Sequence, residues 1–458
     1  MIEFKVSFLF FWVFSQVAVI NVGDSEEKNV PREFIENYVK SNYRVVGERK
    51  HTAIKPCYWL EQKLQTGRSN RNCYKGYWGI DSELCIQNTP AYPFCNHSCV
   101  FCWRDTSVNL DTEFSVQPDN AKHIVKELIR HQRNMINYNY PLEKFLKNYD
   151  LMQEILECFW KQGDGDGDGA ADLSEMSMSL NESASKTAIS RAILLLKNTD
   201  MLVTEDLESY SLSEKAVNFL HEHTGDVKAL LAKFVTTKDE IHRVHENALN
   251  PRHAAISLDG EPTLFPHIGE MVREFRKLGF TTFIVTNGTT PDVLKNLDEN
   301  EELPTILYVT IPAPNEEAYK YICRPRIPGT WQKILKTLDM LKTLKTRTVI
   351  RITSVKNLNN NSDLVPEYVA LINRAAPDFV DIKGFTLEGG SMNIAERLNS
   401  DTLSNEYVPS FSDLMKFADE LGQNGGYKII ETHEKSRDIL LRAEWPEGKS
   451  IKITPEQV

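Results

Sequence analysis

The feature that most constrains this chain is a short loop carrying three cysteines. Cys95, Cys99 and Cys102 stand at C-x3-C-x2-C spacing. Three thiolates can ligate three irons of a four-iron cluster and leave the fourth iron without a protein ligand. A zinc site or a disulfide pair is the alternative, but structural zinc needs a fourth Cys or His, and His97 lies inside the tight loop. The spacing therefore favours an iron–sulfur cluster with one open position.

An open iron position defines a particular chemistry. Such an iron can chelate the amino and carboxylate groups of S-adenosylmethionine (SAM) and pass it one electron. That electron cleaves the sulfonium and releases a 5′-deoxyadenosyl radical. The C-x3-C-x2-C spacing is typical of the radical SAM enzymes, and it predicts SAM as a cofactor.

Three further cysteines, Cys57, Cys73 and Cys85, precede the loop. Six of the 8 cysteines thus lie between Cys57 and Cys102, which is not the pattern of a disulfide scaffold in a chain of 458 residues. The upstream three could be scattered core thiols or the ligands of a second cluster with an open iron. Their concentration beside the first motif favours the second interpretation, and we expect two [4Fe-4S] clusters.

Strand and helix patterns alternate through most of the chain. Short β-branched runs are separated by helical periods, which predicts an α/β fold with a parallel sheet and right-handed crossovers. The runs that indicate strands are 86–94, 253–258, 281–286, 306–311, 348–353, 379–382 and 427–431. With the cysteine loop directly after the first strand, the pattern predicts a radical SAM partial (β/α) barrel of the TIM type. Chemistry in such barrels collects at the carboxyl ends of the strands.

Two strand ends carry candidate SAM-binding residues. Gly260 and Glu261 follow one strand and can present a backbone edge and a carboxylate to the SAM amino group. Asn287 follows the next strand and could hydrogen-bond a ribose or a carboxylate. Either segment could equally be an ordinary turn, but their position just after the cluster loop favours cofactor binding.

The chain divides into four predicted parts. They are a hydrophobic targeting or anchor segment (1–23), an extension with the upstream cysteines (24–85), a core (86–445) and an acidic helical insertion within it (135–235). The insertion holds 17 acidic and 9 basic residues, so most of the formal net charge of -11 lies there. The remainder is close to neutral.

The location of the protein is predicted from its first residues. Residues 6–22 are strongly apolar and follow Lys5, as in a cleaved signal or an organelle presequence. A membrane anchor, a misassigned start and a buried strand are the alternatives. Because an oxidising secretory lumen is incompatible with an iron–sulfur enzyme, we expect a plastid or mitochondrion, with a cytoplasmic or membrane-anchored protein as the alternative.

The insertion contains a calcium-type loop. Asp164, Asp166, Asp168, Asp172 and Glu175 occupy positions one, three, five, nine and twelve, with glycine at six, as in an EF-hand. The alternative is a flexible acidic linker. The complete ligand register favours calcium binding.

Several motifs together resemble the tRNA 4-demethylwyosine synthases of the wybutosine pathway. They are Cys73–Lys75, Tyr77–Ile80, Cys99–Arg104, Asn250–Thr263 and Asp381–Gly384, within a resemblance that covers residues 40–134 and 236–445. The resemblance implies an enzyme that modifies tRNA. Members of this family join N1-methylguanosine, next to the tRNA anticodon, to two carbons of pyruvate.

The resemblance also implies residue roles. The C-x3-C-x2-C cysteines would hold the SAM cluster and the three upstream cysteines the auxiliary cluster. Lys75 matches the lysine proposed to form a Schiff base with pyruvate, which requires a neutral amine. In the competing picture, pyruvate chelates the open auxiliary iron and Lys75 only positions it.

Partners follow from the same resemblance. Eukaryotic members commonly carry a flavodoxin-like domain, and the roughly fifty residues before the first cysteine are too few for that fold. We therefore expect an external electron donor, ferredoxin or flavodoxin, and a monomeric enzyme. Residues 320–326 with Trp331 and Lys333, or residues 63–75, are candidate tRNA surfaces, unless they are merely solvated faces. The alternatives are a radical SAM enzyme acting on another substrate and a calcium-responsive protein with a structural cluster.

Overall fold

The structure is a computed structural model. It describes residues 29–68, 71–106, 109–162, 171–172, 185–204, 209–443 and 450–453. The apolar segment 1–23 lies outside these residues, so its role stays a prediction. Within the described part of the chain, no helix combines the length and apolar character needed to cross a bilayer.

A ten-stranded sheet organises the chain, in the order β1-β2-β3-β7-β8-β9-β10-β11-β13-β12. Six consecutive strands, from β3 to β11 in this order, are parallel. The strands are β1 Arg44–Val46, β2 Thr52–Ile54, β3 Cys85–Thr89, β4 Ala171–Asp172, β5 Leu202–Val203, β6 Ser209–Leu212, β7 His253–Ile256, β8 Thr281–Thr286, β9 Ile306–Thr310, β10 Arg347–Ser354, β11 Phe379–Gly384, β12 Lys428–His433 and β13 Asp438–Arg442. The predicted α/β class with a parallel sheet is confirmed.

Some helices connect the parallel strands, and others precede β3, lie in the insertion or follow β11. They are α1 Arg32–Lys40, α2 Tyr58–Thr66, α3 Ala121–Asn139, α4 Leu142–Gln162, α5 Lys186–Lys197, α6 Glu214–Glu222, α7 Val227–Phe234, α8 Lys238–Leu249, α9 Ile268–Lys277, α10 Pro291–Glu299, α11 Glu316–Cys323, α12 Thr330–Leu341, α13 Val365–Ala375, α14 Ile394–Leu398 and α15 Phe411–Gly425. In α9, Ile268, Met271, Val272 and Phe275 are buried. This i, i+3, i+4, i+7 spacing places one apolar stripe against the sheet.

The two faces of the sheet have different partners. Leu307 and Val309 belong to the core shared with the helices, whereas Tyr308 belongs to a second cluster with Tyr77 and Trp78. Successive strand residues point to opposite faces, so this second cluster lies on the inner, concave side. A short 3-10 turn, Tyr74–Trp78, thus packs into the barrel interior.

Two of the predicted strands differ from the sequence prediction. The first strand ends at Thr89 and not at Phe94, because Pro90 has no N–H to continue the ladder. The predicted run 427–431 is β12, an edge strand that pairs antiparallel with the unpredicted β13. A short turn joins these two strands, and a parallel pair would need a longer crossover.

The insertion between β3 and β7 forms its own hydrophobic cluster. Buried residues from Phe145 to Ile241 pack together, separately from the main core. This segment is not only helical, since β4, β6 and β5 form a small antiparallel sheet. It can therefore be inserted without interrupting the parallel sheet.

Candidate active site

The cysteine loop lies where the sequence places it, beyond the carboxyl end of β3. Cys95, Cys99 and Cys102 are partly exposed, and all three are free thiols. Burial of the sulfur atoms raises the pKa of Cys95 to about 12 and that of Cys102 to about 11, while Arg104 opposes both shifts. Thiols buried beside a cation are suited to bind a metal as thiolates, because the metal supplies the missing charge.

Arg397 fixes the backbone of this loop. Its Nη1 donates to the carbonyl oxygens of Val100 at 3.2 Å and Cys102 at 2.8 Å, and its Nη2 donates to that of Arg104 at 3.1 Å. Arg397 lies in α14, 295 residues after Cys102 in the sequence. Its role had no signal in the sequence, since neither spacing nor composition marks it.

The turn that follows β7 touches the cluster loop directly. The N–H of Glu261 donates to the carbonyl oxygen of Phe94 at 2.8 Å. Gly260 has φ +66°, and a Cβ there would lie 2.0 Å from the carbonyl oxygen of Ala91. Only glycine allows this close approach, so Gly260 holds the turn against the loop.

Glu261 is a buried carboxylate with internal partners. Its Oε1 accepts hydrogen bonds from the hydroxyls of Thr263 at 2.6 Å and Thr286 at 2.7 Å, and its Oε2 accepts from the N–H of Asn287 at 2.8 Å. Burial raises its pKa, and these hydrogen bonds oppose the shift. Glu261 therefore links the β7 turn to β8, and its Oε2 keeps capacity to accept one further hydrogen bond. The predicted SAM contact stays a prediction.

Asn287 continues the same network into the cysteine loop. Its Nδ2 donates to Oδ1 of Asn96 at 2.8 Å, and Nδ2 of Asn96 donates to the hydroxyl of Thr289 at 2.8 Å. The structure thus brings Gly260, Glu261 and Asn287 together beside the cluster loop. These contacts order the rim around a cofactor.

An ion pair that the sequence did not reveal supports this rim. Asp259 lies 3.2 Å from Nε of Arg104 and accepts from the hydroxyl of Tyr38 at 2.8 Å. Burial raises the pKa of Asp259 to about 6, while Arg104 lowers it. The pair connects the cluster loop, the β7 turn and helix α1.

The upstream cysteines form a second site at the other end of β3. Cys57 caps α2, with its Sγ accepting from the N–H of Leu60 at 3.4 Å, and Cys85 is the first residue of β3. Burial raises the pKa of Cys57 to about 12; Cys73 and Cys85 add to the shift, whereas Lys75 opposes it. Cys73, Cys85 and Lys75 therefore all lie close enough to Cys57 to change its pKa. Strand β3, which runs from this site towards the cysteine loop, is about 13 Å long.

Lys75 faces this second group of thiols. Burial opposes its charge, but Tyr74 and the thiols of Cys85, Cys73 and Cys57 outweigh burial and raise its pKa. Its Nζ lies 5.4 Å from the centre of the Tyr74 ring. The predicted catalytic lysine and the three upstream cysteines thus meet in one place.

Charged residues line the barrel interior next to this site. The Arg351 guanidinium lies 4.4 Å from the centre of the Tyr74 ring and donates to Oδ2 of Asp381. Lys383 donates to Oδ2 of Asp438 at 2.9 Å. The Oδ1 atoms of both aspartates are buried without a hydrogen-bond partner. These two buried carboxylate oxygens can accept hydrogen bonds from a small polar substrate.

The donor geometry at the two predicted sets of cysteines does not fit a single metal ion. Within the described residues, three donor atoms lie within 4.8 Å of one another only in the group His97, Cys99 and Cys323. Neither predicted set of three cysteines is that compact, as one tetrahedral zinc ion would require. The contact of Cys323 with Cys99 comes from the packing of α11, which ends at Cys323.

The calcium-type loop cannot be placed. Asp164, Asp166, Asp168 and Glu175 lie outside the described residues, and only the backbone of Asp172 is described, in β4. Calcium binding stays a prediction.

Comparison with known proteins assigns the class. Residues 227–372 match the model of the radical SAM superfamily, and residues 374–444 match that of wyosine base formation. With a three-cysteine loop at the carboxyl edge of a parallel sheet, this chain is a radical SAM protein.

The relatives narrow the class to one family. The chain is 33% identical over 429 residues to the S-adenosyl-L-methionine-dependent tRNA 4-demethylwyosine synthase of Pyrococcus horikoshii, covering 93% of each chain. It is 26% identical to the Oryza sativa protein of the same name, covering 93% of this chain and 48% of that protein. A solved structure of TYW1 with a lysine-pyruvate adduct bound has a TM-score of 0.59 at 24% identity, covering 93% of this chain and 100% of that one. The chain belongs to the tRNA 4-demethylwyosine synthase family.

Proposed function

We propose that this protein is a tRNA 4-demethylwyosine synthase. It joins N1-methylguanosine, next to the anticodon of tRNA, to two carbons of pyruvate. The observation that carries the proposal is the pair of three-cysteine sites at opposite ends of β3, with Lys75 at the second site. The names of the curated relatives support the same activity.

Each site fits a [4Fe-4S] cluster with three protein ligands. Cys95, Cys99 and Cys102 would hold the cluster that binds SAM, and this bound pair supplies a 5′-deoxyadenosyl radical. The upstream cysteines would hold the second cluster. The radical is then generated at the carboxyl edge of the sheet, and the target methyl group must enter from that edge. A base next to the anticodon has to leave its stack to do so.

Lys75 would hold pyruvate as an imine. Iron held by Cys57, Cys73 and Cys85 would offset part of the negative charge that, together with Tyr74, raises the pKa of Lys75, and burial favours the neutral amine that an imine requires. The lysine-pyruvate adduct in the TYW1 structure supports this role. In the alternative, pyruvate would bind the open iron of the second cluster and Lys75 would only position it.

The remaining partners are part of the same proposal. A low-potential donor such as ferredoxin or flavodoxin supplies the electron, and the enzyme acts as a monomer. A presequence in residues 1–23 would direct it to an organelle, and the insertion would bind calcium.

The test is an oxygen-free assay with N1-methylguanosine tRNA, pyruvate, SAM and dithionite. Wild-type protein should form 4-demethylwyosine, detected by nucleoside mass spectrometry, and carry about eight irons. Cys102→Ala should form neither 5′-deoxyadenosine nor product. Cys73→Ala should still cleave SAM but form no product, because only the second site is damaged.

Lys75 variants separate the two pyruvate pictures. Borohydride should trap pyruvate on wild-type protein and not on Lys75→Ala or Lys75→Arg. If Lys75→Ala still makes product, pyruvate binding at the second cluster is favoured. If wild-type protein cleaves SAM but leaves methylguanosine tRNA unchanged, the substrate is another molecule and the proposal fails.

A further inference from the structure

An open cavity of about 420 Å³ lies between α11 and α12, outside the two cysteine sites. Residues from both helices and from the loop between them line it. The lining includes the side chains of Glu316, Lys320, Arg324, Arg326 and Trp331.

The loop that lines the cavity is bonded to the cysteine loop. The N–H of Ser98 donates to the carbonyl oxygen of Arg324 at 3.2 Å, and the N–H of Arg326 donates to that of Asn96 at 2.9 Å. Asn96 directly follows the first cysteine of the SAM-cluster motif. The cavity therefore opens beside the rim at which the radical would form.

The lining carries more positive than negative charge. Lys320 pairs with Glu316 at 2.9 Å, and Nη2 of Arg324 donates to the carbonyl oxygen of Arg397. Arg326 is exposed, and no carboxylate of the described residues lies within ion-pair distance of it. In a chain of formal net charge -11, this excess of cations at one rim is not explained by the average composition. A polyanion bound here would meet an electrostatically favourable surface.

We propose that this cavity binds a phosphodiester group of the tRNA anticodon loop, next to the nucleotide that enters the barrel, through Arg324 and Arg326. The inference rests on the proposed function. A flipped nucleotide stays joined to its neighbours, so their phosphates must lie on the rim when its base is inside. Arginine suits this contact because its planar fork can donate two hydrogen bonds to one phosphate.

The test compares Arg326→Ala with Lys336→Ala. Lys336 is exposed on α12 but does not line the cavity, so it controls for general charge loss. Binding of N1-methylguanosine tRNA is measured by filter retention over a range of salt concentrations. Arg326→Ala should weaken binding about tenfold and lower the slope of log affinity against log salt by about one. Lys336→Ala should change neither value.

Iron content serves as the control for folding. An Arg326→Ala protein with wild-type iron and the expected binding loss, overcome by raising the tRNA concentration, supports the cavity as a phosphate site. Wild-type affinity and salt slope in Arg326→Ala, or an equal loss in Lys336→Ala, would overturn it. If wild-type protein binds tRNA through Arg326 but forms no product, the proposed function fails and the docking site stands.

Discussion

A buried ion pair joins the elements that carry two of the upstream cysteines. Nζ of Lys63 lies 2.5 Å from Oε2 of Glu83, and the two side chains are 0% and 3% exposed. Lys63 lies in α2, the helix that Cys57 caps. Glu83 lies in the short turn that ends just before Cys85. We expect this pair to hold the two cysteines at the distance that a shared cluster needs.

Lys63→Met tests this role. It leaves the Glu83 carboxylate buried with only a 3.4 Å hydrogen bond from Asn247, which should lower the free energy of unfolding by about 3–5 kcal/mol. The double variant Lys63→Met/Glu83→Leu removes both charges and should return to within about 1 kcal/mol of wild type. Lys295→Met, from an exposed pair, should cost less than about 1 kcal/mol.

The assay combines unfolding in guanidinium, followed by tryptophan fluorescence, with iron analysis of anaerobically reconstituted protein. Lys63→Met should lose about four of about eight irons, because only the second site is distorted. A cost below about 1 kcal/mol, or a double variant as unstable as the single one, would refute the reasoning.

Gly260, Arg397 and His253 each give a further prediction. Gly279→Ala has open space and should cost only the positive-φ strain of about 1 kcal/mol, whereas Gly260→Ala should cost clearly more in the same unfolding assay, because its Cβ meets Ala91. Arg397→Met should reduce the iron bound at the C-x3-C-x2-C loop more than Arg397→Lys, measured by iron analysis and SAM cleavage. Burial lowers the pKa of His253 to about 4. The folded state therefore binds fewer protons than the unfolded state, and stability falls as pH drops from about 6.5 to about 4. His253→Gln should flatten that fall by up to about 1.4 kcal/mol per pH unit, measured as unfolding free energy against pH.

The sequence predicted the strands of the parallel sheet best, because each strand depends on residues that are adjacent in the chain. The strands that form β7 to β11 were located from apolar runs, since each buried strand must be apolar along its own length. The cysteine spacing likewise defines how many irons one short loop can ligate, whatever surrounds it. The strand β13 was missed because its pattern is short and its place in the sheet depends on β11 and β12.

Tertiary packing decided which distant residues contact the cysteine loop. Arg397 reaches the cysteine loop, and Cys323 reaches Cys99, across more than two hundred residues of sequence. The close approach of β7 to β8 also gives Glu261 hydrogen-bond partners in Thr263 and Asn287 that the sequence did not predict. Such contacts join residues that are distant in the chain, so no periodicity encodes them. The sequence alone located the cysteine motifs and the strands of the parallel core, because both are local patterns, while the packing of loops at the sheet edges decided which groups support the cysteine loop.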